Sequence, residues 1–110
     1  MLLSTQVWVM ALIRRAELAG AFATVVRKGD VRAGAVLVRC VSRAPSEVRL
    51  FAEAIRGDGE RVWMQPLPRA NTSDLEAYID RAARIDPDLW VVEIEDVDGA
   101  RLLTEQVEKS

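Results

Sequence analysis

Four segments with strand-like patterns follow one another between residues 21 and 67, and this block most constrains the fold. In chain order they cover residues 22–28, 33–42, 48–53 and 61–67. The second segment is apolar on both faces, which is typical of a central strand covered on both sides of a sheet. In the third, apolar residues alternate with Arg49, Phe51 and Glu53, which predicts a strand with one solvent-exposed face. The chain therefore has to build a sheet.

A helix is predicted ahead of this block, over residues 6–19. Ser4 and Thr5 are candidate N-caps, because their hydroxyl groups can accept a hydrogen bond from the first free amides of a helix. Gly20 suits the position after the last turn, where a left-handed backbone is common. A strand over residues 7–12 is the alternative, because the first two turns are apolar almost all round.

A second helix is predicted after the block. It begins at residues 73–76 (Ser-Asp-Leu-Glu), a capping-box pattern in which the Ser73 hydroxyl accepts from the Glu76 amide. Its apolar stripe consists of Leu75, Tyr78, Ile79 and Ala82. Pro87 ends this helix, because the residue before a proline is biased towards extended backbone.

The last predicted element is a β-hairpin. Residues 90–95 alternate between two faces, Asp98-Gly99 is typical of a type I′ turn, and residues 100–107 return. Grouping of strands between helices indicates an α+β fold with the helices on one face of the sheet. We therefore predict a single domain over residues 1–110, with two helices and a mostly antiparallel sheet of five to six strands in the order α-β-β-β-β-α-β-β.

The composition excludes several classes of site. The chain has no histidine, so a Ser-His-Asp triad or a histidine-ligated metal cannot form within it. Cys40 is the single cysteine, which precludes an internal disulfide and fits a reducing, cytoplasmic location. A net charge of −2 gives no general attraction for nucleic acid. The apolar run at 7–13 is too short to span a bilayer, so no membrane association is predicted.

A basic loop is the first candidate site. Arg27, Lys28, Gly29 and Arg32 lie between two predicted strands. Glycine lets backbone amides approach an anion and the basic side chains would neutralise it, so this loop could bind a small anion or a nucleotide. A turn with solvated charges is the simpler interpretation, because turns collect glycine and charged residues.

An aromatic patch is the second candidate site. Phe51 and Trp63 lie on strand faces that the alternation predicts to be exposed to solvent, next to Arg49 and Arg61. An exposed aromatic patch beside arginines would mark a protein interface. Burial under a loop or under the first helix is the alternative. No catalytic residue, metal ligand or cofactor is predicted, although Glu93 and Glu95 share a strand face and could hold a cation or transfer a proton.

Several stretches together resemble a known family, the domain-of-unknown-function family 1491 of small alphaproteobacterial proteins. The most specific are residues 27–30 (Arg-Lys-Gly-Asp) and 86–93 (Asp-Pro-Asp-Leu-Trp-Val-Val-Glu). The resemblance extends over nearly the whole chain and implies a short, free-standing cytoplasmic protein. It implies no activity. We therefore expect a non-enzymatic module that binds a protein partner or forms a homodimer; the alternatives are an anion-binding protein that uses the basic loop, and an enzyme that uses carboxylates and Tyr78.

Overall fold

In the part of the chain that the structure describes, a six-stranded mixed sheet lies between two helices. The computed structural model describes residues 4–43, 46–55, 57–68, 71–96, 98–103 and 106–107. The elements are α1 (Thr5–Leu18), β1 (Ala23–Arg27), β2 (Val36–Arg43), β3 (Ser46–Ile55), β4 (Arg61–Met64), α2 (Thr72–Ile85), β5 (Trp90–Ile94), a 3-10 helix (Gly99–Leu102) and β6 (Gln106–Val107). The α+β class and the predicted order of the elements are confirmed.

The strand order is β1-β5-β2-β3-β4-β6, and most neighbouring pairs are antiparallel. β5 lies between β1 and β2, antiparallel to the first and parallel to the second. Trp90, Val91, Val92 and Ile94 of β5 are all buried, which suits an interior strand covered on both faces.

The predicted C-terminal hairpin is wrong. Both sides of β5 are already paired, and β6 instead runs parallel to β4 at the far edge. Gly99 opens a 3-10 helix, where a Cβ would lie only 2.8 Å from the Cys40 sulfur. The glycine therefore permits close packing against β2 rather than a type I′ turn.

The two helices cover opposite faces of the sheet, so the prediction of helices on one face is also wrong. α1 packs on the face that contains Val36, Val38 and Cys40 of β2. α2 packs on the face that contains Leu37. The prediction that β2 is covered on both sides is confirmed, and it explains the arrangement, because a strand that is apolar on both faces needs a layer on each.

The ends of α1 agree with the helix prediction and exclude a strand over residues 7–12. The Ser4 hydroxyl caps the helix by accepting from the Val7 amide at 3.2 Å. Gly20 has φ of +85°, in the left-handed region that ends helices. Within the helix, the Trp8 ring stacks on Trp63 of β4 with 5.4 Å between the centroids.

The start of α2 differs from the predicted capping box. Asn71 is the N-cap, and its side chain accepts from the Asp74 amide at 2.8 Å. Glu76 therefore lies in the second turn, where its carboxylate bonds Arg39 of β2 at 2.8 Å. The helix ends at Ile85, and Asp86 has extended backbone ahead of Pro87, as predicted.

Candidate functional site

The basic loop between β1 and β2 is packed into the protein by its glycines. A Cβ on Gly29 or on Gly34 would lie 2.0 Å from the Asp88 carbonyl oxygen, and either would also collide with the Trp90 ring. The Trp90 indole donates to the Asp30 carbonyl at 2.7 Å, and the Asp30 amide donates to the Asp88 carbonyl at 3.0 Å. The two glycines thus allow the loop to close around Trp90 and the turn after α2.

The Asp30 carboxylate, which belongs to the loop, binds backbone amides of the same loop. One carboxylate oxygen of Asp30 accepts from the amides of Arg32 and Ala33, both at 3.0 Å. These are the kind of backbone donors that an anion-binding loop directs at its ligand. An external anion would therefore depend on side chains, and Arg27 already donates to the Pro87 carbonyl at 3.1 Å. Lys28 and Arg32 are exposed to solvent.

The aromatic patch predicted as exposed is not on the surface. Phe51 is 2% exposed and Trp63 is fully buried, and both belong to the core under α1. The alternative reading, burial under the first helix, is the one that the structure shows. Arg49 lies on the surface beside Asp98, with 3.4 Å between nitrogen and oxygen, and the side chain of Arg61 lies outside the described part of the chain.

The acidic and thiol groups are held by the fold. Arg39 of β2 bonds Glu93 at 2.9 Å and Glu76 at 2.8 Å, which ties α2 to the sheet. Burial raises the pKa of Cys40 to about 12, so this thiol stays protonated and unreactive at neutral pH.

No group of three or more potential metal ligands occurs within the described ranges. None of the helices described there is long and apolar enough to cross a membrane.

An open sheet edge is a feature that the sequence patterns do not indicate. β1 is the first strand in the sheet order, so no described strand pairs with its outer side. Phe22 is 78% exposed and Val26 is 48% exposed, whereas Ala23 and Val25 pack against the core under α1. Phe22, Thr24 and Val26 are exposed and alternate with the half-buried Ala23 and Val25, so they lie on the face of the sheet opposite α1. The alternation at 22–26 is visible in the sequence, but only the strand order places it at an edge.

The hydrogen bonds to β5 fix which backbone groups of β1 point outward. The Glu95 amide donates to the Phe22 carbonyl at 2.8 Å, and Thr24 lies opposite Glu93. In an antiparallel ladder, hydrogen-bonded and non-hydrogen-bonded residues alternate, so the amide and carbonyl groups of Phe22 and Thr24 point towards β5. The amide and carbonyl groups of Ala23 and Val25 therefore point towards the open side.

Comparison with known proteins gives a family and no activity. A crystal structure of a DUF1491 family protein from Caulobacter crescentus is 69% identical, with a TM-score of 0.90, over 97% of this chain and 100% of that one. An NMR structure of a DUF1491 family protein from the same organism is also 69% identical, with a TM-score of 0.89, over 99% of each chain. Protein Atu0922 from A. tumefaciens is 35% identical, with a TM-score of 0.82, over 100% of this chain and 99% of that one.

No functionally curated protein matches the chain. The family model described as "Protein of unknown function (DUF1491)" matches residues 3–104. That span contains both helices and the first five strands, and therefore the residues of β1 and of the basic loop. The chain belongs to the DUF1491 family of proteins of unknown function.

Proposed function

We propose that this protein is a non-enzymatic interaction module that binds a protein partner through the open edge of β1. The observation that carries the proposal is that no strand in the described ranges pairs with the outer side of β1, where Phe22 and Val26 are exposed. An open edge presents a row of free backbone donors and acceptors, and strand addition to such an edge is a common mode of protein recognition.

The chemistry of the remaining side chains supports a binding role over a catalytic one. The Cys40 thiol is buried and protonated, and the Glu93 carboxylate forms an ion pair with Arg39. Nucleophilic and acid-base catalysis need a group with an activated pKa that substrate can reach. We assign no anion site to the basic loop, because Asp30 already occupies its amides. The buried single thiol is consistent with action in the reducing cytoplasm.

Site-specific photo-crosslinking in living cells tests the proposal. A photoreactive residue is placed at position 26, beside the open edge, and in a control protein at position 85, where Ile85 is 77% exposed at the end of α2. We expect a crosslinked product at position 26 that is several-fold stronger than at position 85. Adding Phe22→Lys should remove that product, because a lysine at a strand edge opposes further pairing.

Equal yields at positions 26 and 85 would refute a binding role for the β1 edge. Persistence of the product in the Phe22→Lys background would refute it as well. Ile85→Lys serves as the matched control for the charge change, because Ile85 and Phe22 are exposed to the same degree.

A further inference from the structure

We infer that the partner of the β1 edge is a second copy of this chain, paired antiparallel about a two-fold axis at Thr24. This inference rests on the proposed function and names its partner. In this register Ala23 of one copy lies opposite Val25 of the second copy, and Thr24 lies opposite its own equivalent. Two-fold pairing is the commonest symmetry of soluble homo-oligomers.

The backbone of β1 matches itself in this register. Ala23 and Val25 are the two residues whose amide and carbonyl groups point outward, as the hydrogen bond from the Glu95 amide to the Phe22 carbonyl establishes. Placing Ala23 opposite Val25 of the second copy lets each residue exchange both of its hydrogen bonds. The symmetry repeats the exchange, so all four outward groups of each copy are satisfied.

The exposed side chains match in the same register. Phe22 of one copy lies opposite Val26 of the second, and the symmetry makes this contact twice. Pairs of aromatic and β-branched residues, and of two threonines, are among the stabilising cross-strand pairs of antiparallel sheets. The pairing therefore covers the two most exposed apolar side chains of the edge and places Thr24 against Thr24 between them.

Charge at the two ends of the edge favours an antiparallel arrangement. Glu95 lies beside Phe22 at the start of β1, and Lys28 is exposed just beyond its end. An antiparallel pair brings the basic end of one copy to the acidic end of the other. A parallel pair would place like charges together, which is unfavourable.

The bulge in β1 limits how far the pairing extends. The register with β5 shifts between Val25 and Arg27, which leaves Val26 as the extra residue. A bulge bends its strand, so pairing beyond Val26 is not expected. Interfaces that bury less than about 1,200 Å² are weak and transient, so covalent crosslinking, which traps short-lived pairs, is the suitable assay for this dimer.

Cysteine crosslinking tests the register directly. Thr24→Cys places two thiols across the axis at a non-hydrogen-bonded pair, where Cα atoms lie about 4.5 Å apart, within the range that a disulfide bridges. Val26→Cys is the control, because its two copies would lie four residues apart along the strands, roughly 13 Å. The native Cys40 is fully buried and stays in both variants.

We expect mild oxidation to give at least ten-fold more disulfide dimer with Thr24→Cys than with Val26→Cys. Adding Phe22→Lys to Thr24→Cys should return the yield to that of the control. Equal yields from the two cysteine variants would overturn the self-pairing.

The mass of the photo-crosslinked product at position 26 shows whether the self-pairing, the binding role of the edge, or both are refuted. A product with the mass of two copies agrees with self-pairing. A product of another mass overturns self-pairing and leaves the binding role of the edge intact. No product at position 26 overturns both.

Discussion

Gly29→Ala should destabilise the protein strongly, because the loop around Trp90 has no room for a methyl group. The new Cβ would lie 2.0 Å from the Asp88 carbonyl oxygen and 2.6 Å from the Trp90 ring. The first of these atoms belongs to the backbone, so the turn after α2 has to move. That movement also breaks the bonds that link Asp30 to Asp88 and to Trp90.

The size of the effect follows from these contacts. Overpacking costs about 1 to 3 kcal/mol and each of the two lost hydrogen bonds costs about 1 kcal/mol, so we expect a loss of about 3 to 5 kcal/mol in the free energy of unfolding. For a domain of this size that corresponds to a fall in Tm of about 12 to 20 °C.

Urea unfolding followed by circular dichroism and tryptophan fluorescence measures this loss. Gly57→Ala is the matched control, because no atom lies within 4 Å of a Cβ at Gly57 and its φ is not in the left-handed region. We expect that control to stay within about 1 kcal/mol of wild type. The packing argument for Gly29 is refuted if the alanine variant is within about 0.5 kcal/mol of wild type by the same measurement.

Two further predictions concern ion pairs. Arg39→Ala leaves the largely buried Glu93 without its cation and should cost about 2 to 3 kcal/mol in urea unfolding, whereas Glu76→Gln, on the exposed side of the same cluster, should cost less than about 1 kcal/mol; equal losses would contradict this. The Arg101 guanidinium and the Asp98 amide hold the pKa of Asp96 below its usual value, so Asp96 stabilises the folded state at neutral pH and loses this contribution as the pH falls below about 4. The stability difference between wild type and Asp96→Asn, followed by thermal unfolding from pH 7 to pH 3, should therefore shrink with acid, and a difference that does not change with pH would contradict the assignment.

Local patterns in the sequence were sufficient to predict the helices and strands, but they were insufficient to predict which strands lie next to one another in the sheet. The end of α2 at Pro87 and the two-sided burial of β2 both follow from residues adjacent in sequence. The insertion of β5 between β1 and β2 does not, because a parallel pair joins distant segments and leaves no short turn signal. Asp98-Gly99 carries a genuine turn pattern, yet Gly99 is used for packing on Cys40.

The candidate interface was misplaced for a related reason. Alternation along β3 correctly separates Phe51 from Leu50 and Ala52, which lie on the other face of the sheet. This separation does not mean that Phe51 is exposed to solvent, because each face of this sheet is covered by a helix. A strand pattern reports which residues share a face, whereas exposure depends on the layers that lie above it. The exposed edge at β1 could be recognised only once the strand order was known.

The place of β5 in the sheet also governs when the protein can fold during synthesis. β1 and β2 are made early, but the strand that joins them ends at Ile94, in the last fifth of the chain. Until that segment has left the ribosome, β1 has no neighbour on either side, and its apolar residues can pair with other chains. Sheets built from such distant segments close slowly, so β1 stays accessible to other chains for longer than a strand that pairs with its neighbour in sequence.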